Sequence, residues 1–154
     1  MATVYLSYRV EDSGILAESL GMRLSQLGGH RMYPYALPFG SDVPAARRSM
    51  LQGADVLIIA IGPRWLLIKD FYGQRRIDDH EDPVHQEIVM ALWLRKPIIP
   101  VLLGGGRMPT TADLPQPIQA IAGLQPFQTQ PSPDSSREAL GLNMKISKVA
   151  SMKN

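Results

Sequence analysis

The sequence predicts an α/β domain built on an open parallel sheet with helices on both faces. Three observations predict it. Strand-like and helix-like stretches alternate strictly along the chain. Two of the strand-like runs, Ala54–Ile61 (ADVLIIAI) and Ile98–Leu103 (IIPVLL), are continuously apolar, as strands buried on both faces are. The stretches between strands carry apolar residues three and four apart and are bounded by Gly and Pro.

Length and composition suit one domain of this class. The chain has 154 residues, 45% hydrophobic and 19% charged. A net charge of +2 is too small an excess to point to nucleic acid. The absence of cysteine excludes disulfides, thiolate metal sites and cysteine nucleophiles. Neither an early basic segment with a long apolar run nor a stretch of roughly 18 apolar residues is present, so no secretory signal or membrane contact is expected. The cytoplasm is the expected location.

The elements follow in order. Thr3–Tyr8 (TVYLSY) is a short β-rich run. Arg9–Ser13 is a polar turn in which Asp12 or Ser13 can cap the next helix. Ile15, Leu16, Leu20, Leu24 and Leu27 mark that helix, which stops at Gly28-Gly29. His30–Tyr35 makes a second strand, and Ala36–Val43 (ALPFGSDV) a loop with Phe39 at its tip. Ala45–Leu51 is a short helix ending near Gly53. Ala54–Ile61 should be the central strand, broken by Gly62-Pro63. Arg64–Glu81 is a long connection holding Trp65, Phe71 and the acidic Asp78, Asp79 and Glu81, and loops of that length are often functional. Asp82 caps the next helix, with Pro83 at the first position, where no N–H is needed. Val84, Ile88, Ala91 and Leu92 form its apolar stripe. Lys96-Pro97 ends the helix, and the fourth strand follows. After Gly104–Gly106, a proline-spaced segment with Leu114, Ile118 and Ile121 leads to an edge strand at Leu124–Thr129. Pro131–Asp134 is a turn. Ser135 and Glu138 form a capping box for a last helix with Leu140, Met144 and Ile146 facing inward.

Five strands in this pattern favour the flavodoxin-like order 2-1-3-4-5, in which ligands bind beyond the carboxyl ends of the strands where the winding direction switches. That switch lies between strands one and three. Arg9–Ser13 follows strand one, Gly62–Asp82 follows strand three, and the helix bearing Glu87 starts at the same edge. Glu87 sits about one turn into its helix, at the border of the apolar stripe. It is either a half-exposed surface group or the working residue of a cleft. Arg9 is likewise either a surface cation or a guanidinium suited to pyrophosphate.

Other constellations carry no chemistry. The GSDV turn and Gly104–Gly106 do not match a phosphate-binding loop between a strand and a helix. His80 and His85, with Asp78, Asp79, Glu81 and Asp82, match no metal-ligand spacing, so no metal is expected. A nucleophile elbow is absent. Strand three ends in Ile61-Gly62-Pro63, without the aspartate a receiver-type phospho-acceptor needs. Trp65 and Trp93 read as packing groups.

Four blocks in this order and spacing resemble a TIR (Toll/interleukin-1 receptor) domain of the bacterial effector kind: VYLSYRVEDS, ADVLIIAIGPRWL, DPVHQEIVMAL and PIIPVLL. The resemblance covers residues 1–145, and the basic tail 146–154 reads as the start of a linker. It implies the fold derived above and one of two activities: hydrolysis or cyclisation of NAD+, or assembly of signalling complexes without catalysis. It matches Glu87 to the catalytic glutamate and Arg9 to a basic residue near the nucleotide. Ala36–Val43, with Phe39, Gly40 and Asp42, matches the BB loop that gates the site and contacts a neighbouring subunit. Ser13 and Trp65 fall beside the nucleotide in the same comparison. Where some members stack an aromatic residue on the substrate, this chain has Pro83, so Phe39, Trp65 or a second subunit would have to supply the stacking.

The implied chemistry suits a lone carboxylate. Breaking the nicotinamide–ribose bond expels a neutral base from a pyridinium, so the general acid that O-glycosides need is dispensable. Glu87 would stabilise the oxocarbenium-like ribose. NAD+ is then a substrate, and no cofactor is implied. The implied partners are other TIR domains, in a homo-oligomer or filament, and a fused or separate sensor, in the setting of bacterial immunity and antiphage defence. An interaction module without activity and a nucleoside deoxyribosyltransferase-like enzyme are the competing readings.

Overall fold

The computed structural model describes residues 1–34, 37–129 and 136–152, with only the backbone at 136–138. Among these residues the strands are β1 (Thr3–Ser7), β2 (Arg31–Tyr33), β3 (Val56–Ile61), β4 (Ile98–Leu102) and β5 (Phe127–Gln128). All pair in parallel, in the order β2-β1-β3-β4-β5. This is the flavodoxin-like order expected from strict alternation and right-handed crossovers.

The helices are α1 (Val10–Gly28), α2 (Val43–Gly53), α3 (Pro83–Trp93) and α4 (Ser136–Ser151), with 3₁₀ turns at Arg76–Asp78, Thr111–Asp113 and Gln116–Gly123. The period-2 alternation of β3 feeds two separate cores. Leu57, Ile59 and Ile61 pack with Met50 and Leu51 of α2, with Val84, Ile88 and Ala91 of α3, and with Ile118 and Ile121. Val56, Ile58 and Ala60 pack with Ala17, Leu20 and Leu24 of α1 and with Leu142 and Ile146 of α4. No helix among the described residues is long and apolar enough to cross a membrane.

Pro100 stands in the middle of β4, where a central strand normally excludes proline. Leu57 N–H donates to the Pro97 carbonyl and Leu103 N–H to the Ile61 carbonyl, so odd-numbered residues of this strand bond toward β3. Pro100 therefore faces β5, whose pairing begins only at Val101. Its missing N–H leaves no ladder bond unmade.

The expected stripes of the first and last helices need correction. In α1, Leu20 and Leu24 are buried as expected, but Ile15, Leu16 and Leu27 are exposed, and Ala17 and Gly21 take their places. Small residues let this helix lie close on β1, where a Cβ on Gly21 would sit 3.4 Å from the Leu6 side chain. The helix starts at Val10 with Arg9 as an N-cap whose side chain makes no capping bond, and Ser13 breaks its helical dihedrals. Asp12, expected as a cap, points elsewhere. In α4 the inward residues are Ala139, Leu142 and Ile146, while Leu140 and Met144 are exposed. The helix runs to Ser151, past residue 145 where the sequence places the domain's end, with Ile146 fully buried. Trp93 is exposed rather than packed. Tyr35, Ala36, the Pro131–Asp134 turn and the capping-box residue Ser135 lie outside the described residues.

Candidate active site

β1 delivers the first groups of the site. Its alternation sends Val4 and Leu6 to the α1 face and Tyr5 and Ser7 to the opposite face, where α3 lies. α3 delivers Glu87. Its start is fixed by Asp82, whose carboxylate accepts the His85 backbone N–H at 3.1 Å, with Pro83 at the first position. One turn later Glu87 Oε1 accepts a hydrogen bond from Ser7 Oγ at 3.0 Å. The Tyr5 hydroxyl lies against the same carboxylate but outside hydrogen-bonding geometry, and it has no hydrogen-bond partner among the described residues.

Two further ties hold this edge together. Arg9, just past β1, donates to both oxygens of Asp82, Nη1 at 3.0 Å and Nη2 at 2.7 Å, and both side chains are buried. This bidentate pair locks the turn after β1 to the start of α3. Asp12 accepts the backbone N–H groups of Gly62 at 2.8 Å and Arg64 at 2.7 Å, binding the same turn to the connection after β3. A Cβ on Gly62 would collide with that carboxylate, so glycine is required for the approach.

A cavity of about 240 Å³ opens between these elements. Glu87, Pro83, Arg9, Arg47 and Arg76 line it, with Tyr8, Glu11 and Pro34. Burial pushes the Glu87 carboxyl above its ordinary range. The Tyr5 and Ser7 hydroxyls and the Arg47 charge pull it back down, and Asp82 pushes it up. Burial, with Glu87 beside it, raises the Tyr5 phenol so far that it stays a neutral donor. Glu11 is held below its ordinary range by its own backbone N–H and by Arg76, whose Nη1 donates to it at 3.2 Å.

The structure thus brings Glu87, Arg9 and Pro83 to one cavity. The other predicted site residues line other surroundings. Ser13 is buried, and its hydroxyl has no partner among the described residues. Trp65 is 1% exposed and packs beneath the Arg9 guanidinium, 6.0 Å from the ring centroid, so it has no free face for a nucleotide. Asp42 caps α2 by accepting the Ala45 N–H. Gly40 has a φ of +85°, and Phe39 beside it is fully exposed. The acidic connection is occupied by its own partners: Asp78 pairs with Arg75, and His85 Nδ1 meets the Ile77 carbonyl at 2.7 Å. Among the described residues no group of three His, Asp or Glu side chains is disposed to hold a metal.

Sequence reasoning missed Tyr5, Ser7, Arg47 and Arg76. The alternation of TVYLSY was a signal for the first two, since it puts Tyr5 and Ser7 on one face at the carboxyl end of β1. For the two arginines the sequence carried no such signal.

No family model matches the chain, and no curated protein matches its sequence. Solved structures do match. A TIR domain of the activated Roq1 resistosome, which directly recognises the pathogen effector XopQ, has a TM-score of 0.67 at 11% identity, covering 95% of this chain and 99% of that one. The CMP N-glycosidase BcmB of Clostridium botulinum has a TM-score of 0.55 at 15% identity, over 93% and 98% of the two chains. The flavodoxin-like domain of a Synechococcus protein has a TM-score of 0.50 at 12% identity, over 97% and 96%. At these identities the likeness is one of fold. The chain shares the fold of a TIR domain and of a nucleotide N-glycosidase.

Proposed function

We propose that this chain is a TIR-type N-glycosidase that cleaves the nicotinamide–ribose bond of NAD+, with Glu87 as its catalytic carboxylate. The observation that carries the reading is the Glu87 carboxylate in the cavity at the carboxyl edge of the sheet, held by Ser7 Oγ at 3.0 Å. Support comes from the ordered sequence blocks around Arg9 and Glu87 and from fold neighbours that include a TIR domain and an N-glycosidase of CMP.

In this reaction the C1′–N bond breaks and its electron pair neutralises the pyridinium, so nicotinamide leaves without a proton. Glu87 faces the cation that develops on the ribose. Water then bonds to C1′ and loses one proton to solvent, giving ADP-ribose; attack by a group of the same molecule gives a cyclic isomer. The charge state of the cavity favours a leaving group that is already positive. Its second carboxylate, Glu11, is kept ionised and paired to Arg76. Tyr8, the neutral hydroxyl in the lining, donates to Glu18 at 3.2 Å. Glu87 is the carboxyl in the lining whose acid form burial favours, and a pyridinium leaving group does not draw on it.

The same reading places the chain among TIR domains that act on self-assembly under a sensor, in the cytoplasm, in bacterial immune and antiphage signalling. The test is nicotinamide release from NAD+ at high protein concentration, for wild type and Glu87→Ala, each free and clustered on beads. Wild type releases nicotinamide, and Glu87→Ala falls by a factor of about 10² or more. Equal rates would remove Glu87 from the mechanism. Silence from folded, clustered wild type would leave an interaction module.

A further inference from the structure

We propose that Arg47 is the anion anchor of the Glu87 cavity and that its ligand is the 5′-phosphate of the ribose facing Glu87. The proposal rests on the N-glycosidase reading and adds to it that the site requires a 5′-phosphate, so free nucleosides are excluded.

Three arginines, Arg9, Arg47 and Arg76, line the cavity. Arg9 spends both terminal nitrogens on Asp82, at 3.0 and 2.7 Å. Arg76 is shared between Glu11 at 3.2 Å and Asp82 at 3.6 Å. Arg47 differs from both. It is half-buried on α2, one turn past the Asp42 cap, and lines the same cavity. Among the described residues it has no carboxylate within 4.0 Å and no side-chain hydrogen bond. A half-buried guanidinium presents five donors in a planar fork that fits phosphate oxygens two at a time. Leaving such a group partly desolvated and unpaired is costly unless a ligand completes it.

Size points the same way. About 240 Å³ is below the usual range of roughly 300–1,000 Å³ for ligand pockets. A ribose with its 5′-phosphate is the part of a dinucleotide such a cavity takes, and the remainder projects beyond it. With the anomeric carbon at Glu87, the 5′ end has to find its counter-charge on the cavity wall; among the described residues Arg47 is the lining cation that no carboxylate holds, whereas Arg9 has only its buried Nε unpartnered. The rival role for Arg47 is purely electrostatic: it acts on the charges of Glu87 and Tyr5 and never touches the ligand.

Two measurements decide. The first needs no turnover: binding of ribose 5-phosphate and of ribose to wild type, Arg47→Gln and Arg47→Lys, followed by calorimetry or amide chemical shifts. Wild type prefers the phosphate ester at least about tenfold, in the range of one charge-assisted hydrogen-bonded pair. The preference collapses in Arg47→Gln and survives in part in Arg47→Lys. No preference in wild type itself overturns the proposal, whatever the variants do. The second compares kcat/KM for nicotinamide mononucleotide and nicotinamide riboside across pH. The ratio falls toward one in Arg47→Gln. An unchanged ratio with a shifted acid limb would assign Arg47 to the electrostatic role instead. Glu87-dependent cleavage with an Arg47-insensitive ratio would sink the anchor and keep the glycosidase. Arg47-dependent phosphate binding without any cleavage would do the reverse.

Discussion

Glu87 answers to two opposed demands. In the proposed reaction, stabilising a cationic ribose requires its anion, yet burial favours its neutral acid. Between the ordinary value of 4.5 and the raised value in the fold, the native chain holds a proton that the unfolded chain has released. This residue's contribution to stability is therefore greatest below the unfolded pKa and is lost as pH rises through the folded one. Glu87→Gln removes that loss. It should raise stability at neutral pH by about 1 kcal/mol, the usual size of a gain traded against function. The gain should vanish in acid, where both side chains are neutral. Urea melts of the two proteins at several pH values check this; a less stable glutamine variant at neutral pH would mean the carboxylate is held favourably. The sequence located Glu87 at the border of the α3 stripe and at the switch point of the sheet. It left open which side of that border the carboxylate takes. That depends on Ser7 and Tyr5, contacts across 80 residues that no local pattern encodes.

Among the elements, α3 is set by the Arg9–Asp82 pair. Asp82 both caps the helix and neutralises Arg9, whose side chain is 1% exposed. Removing either partner leaves the other's buried charge without its bidentate mate, Asp82 keeping only Arg76 Nε at 3.6 Å, at a cost of roughly 3–5 kcal/mol. Asp82→Ala and Arg9→Met should each lose that much in denaturant melts. The double variant Arg9→Met/Asp82→Ser keeps a cap, buries no charge and should recover most of the loss. Additive losses would show that the pair contributes little as a pair. The cap on α3 was legible from Asp82-Pro83, because N-terminal chemistry is local. The faces of α1 and α4 were legible only in part. Their large apolar residues Ile15, Leu16, Leu140 and Met144 stay outside; in α1, Ala17 and Gly21 permit closer contact with the sheet than bulk would, and in α4 the small Ala139 is buried in place of its larger neighbour. Hydrophobicity alone ranks those small residues too low.

For the molecule as a whole, the strand order followed from alternation and handedness, rules that hold whatever the side chains are. Its surface is a different matter. Phe39, Phe71, Tyr72 and Trp93 are exposed large apolar groups outside the cavity, and such groups mark contact sites when they gather. Phe39 stands at the loop leading to α2, the helix that carries Arg47 and borders the cavity. A dinucleotide held at Glu87 projects past a cavity of about 240 Å³, so a neighbouring copy seated on this loop would cover what one chain leaves open. Mass action then links activity to concentration. Nicotinamide released per wild-type molecule should climb in proportion to protein concentration until association saturates. Phe39→Asp, which places a charge where an apolar contact forms, should remove the climb, and bead clustering should restore it only in part. Sedimentation across the same concentrations should show the wild type associating where its activity rises. A rate per molecule that stays flat, with the wild type active throughout, would mean that a single chain completes the site and that Phe39 has no part in it.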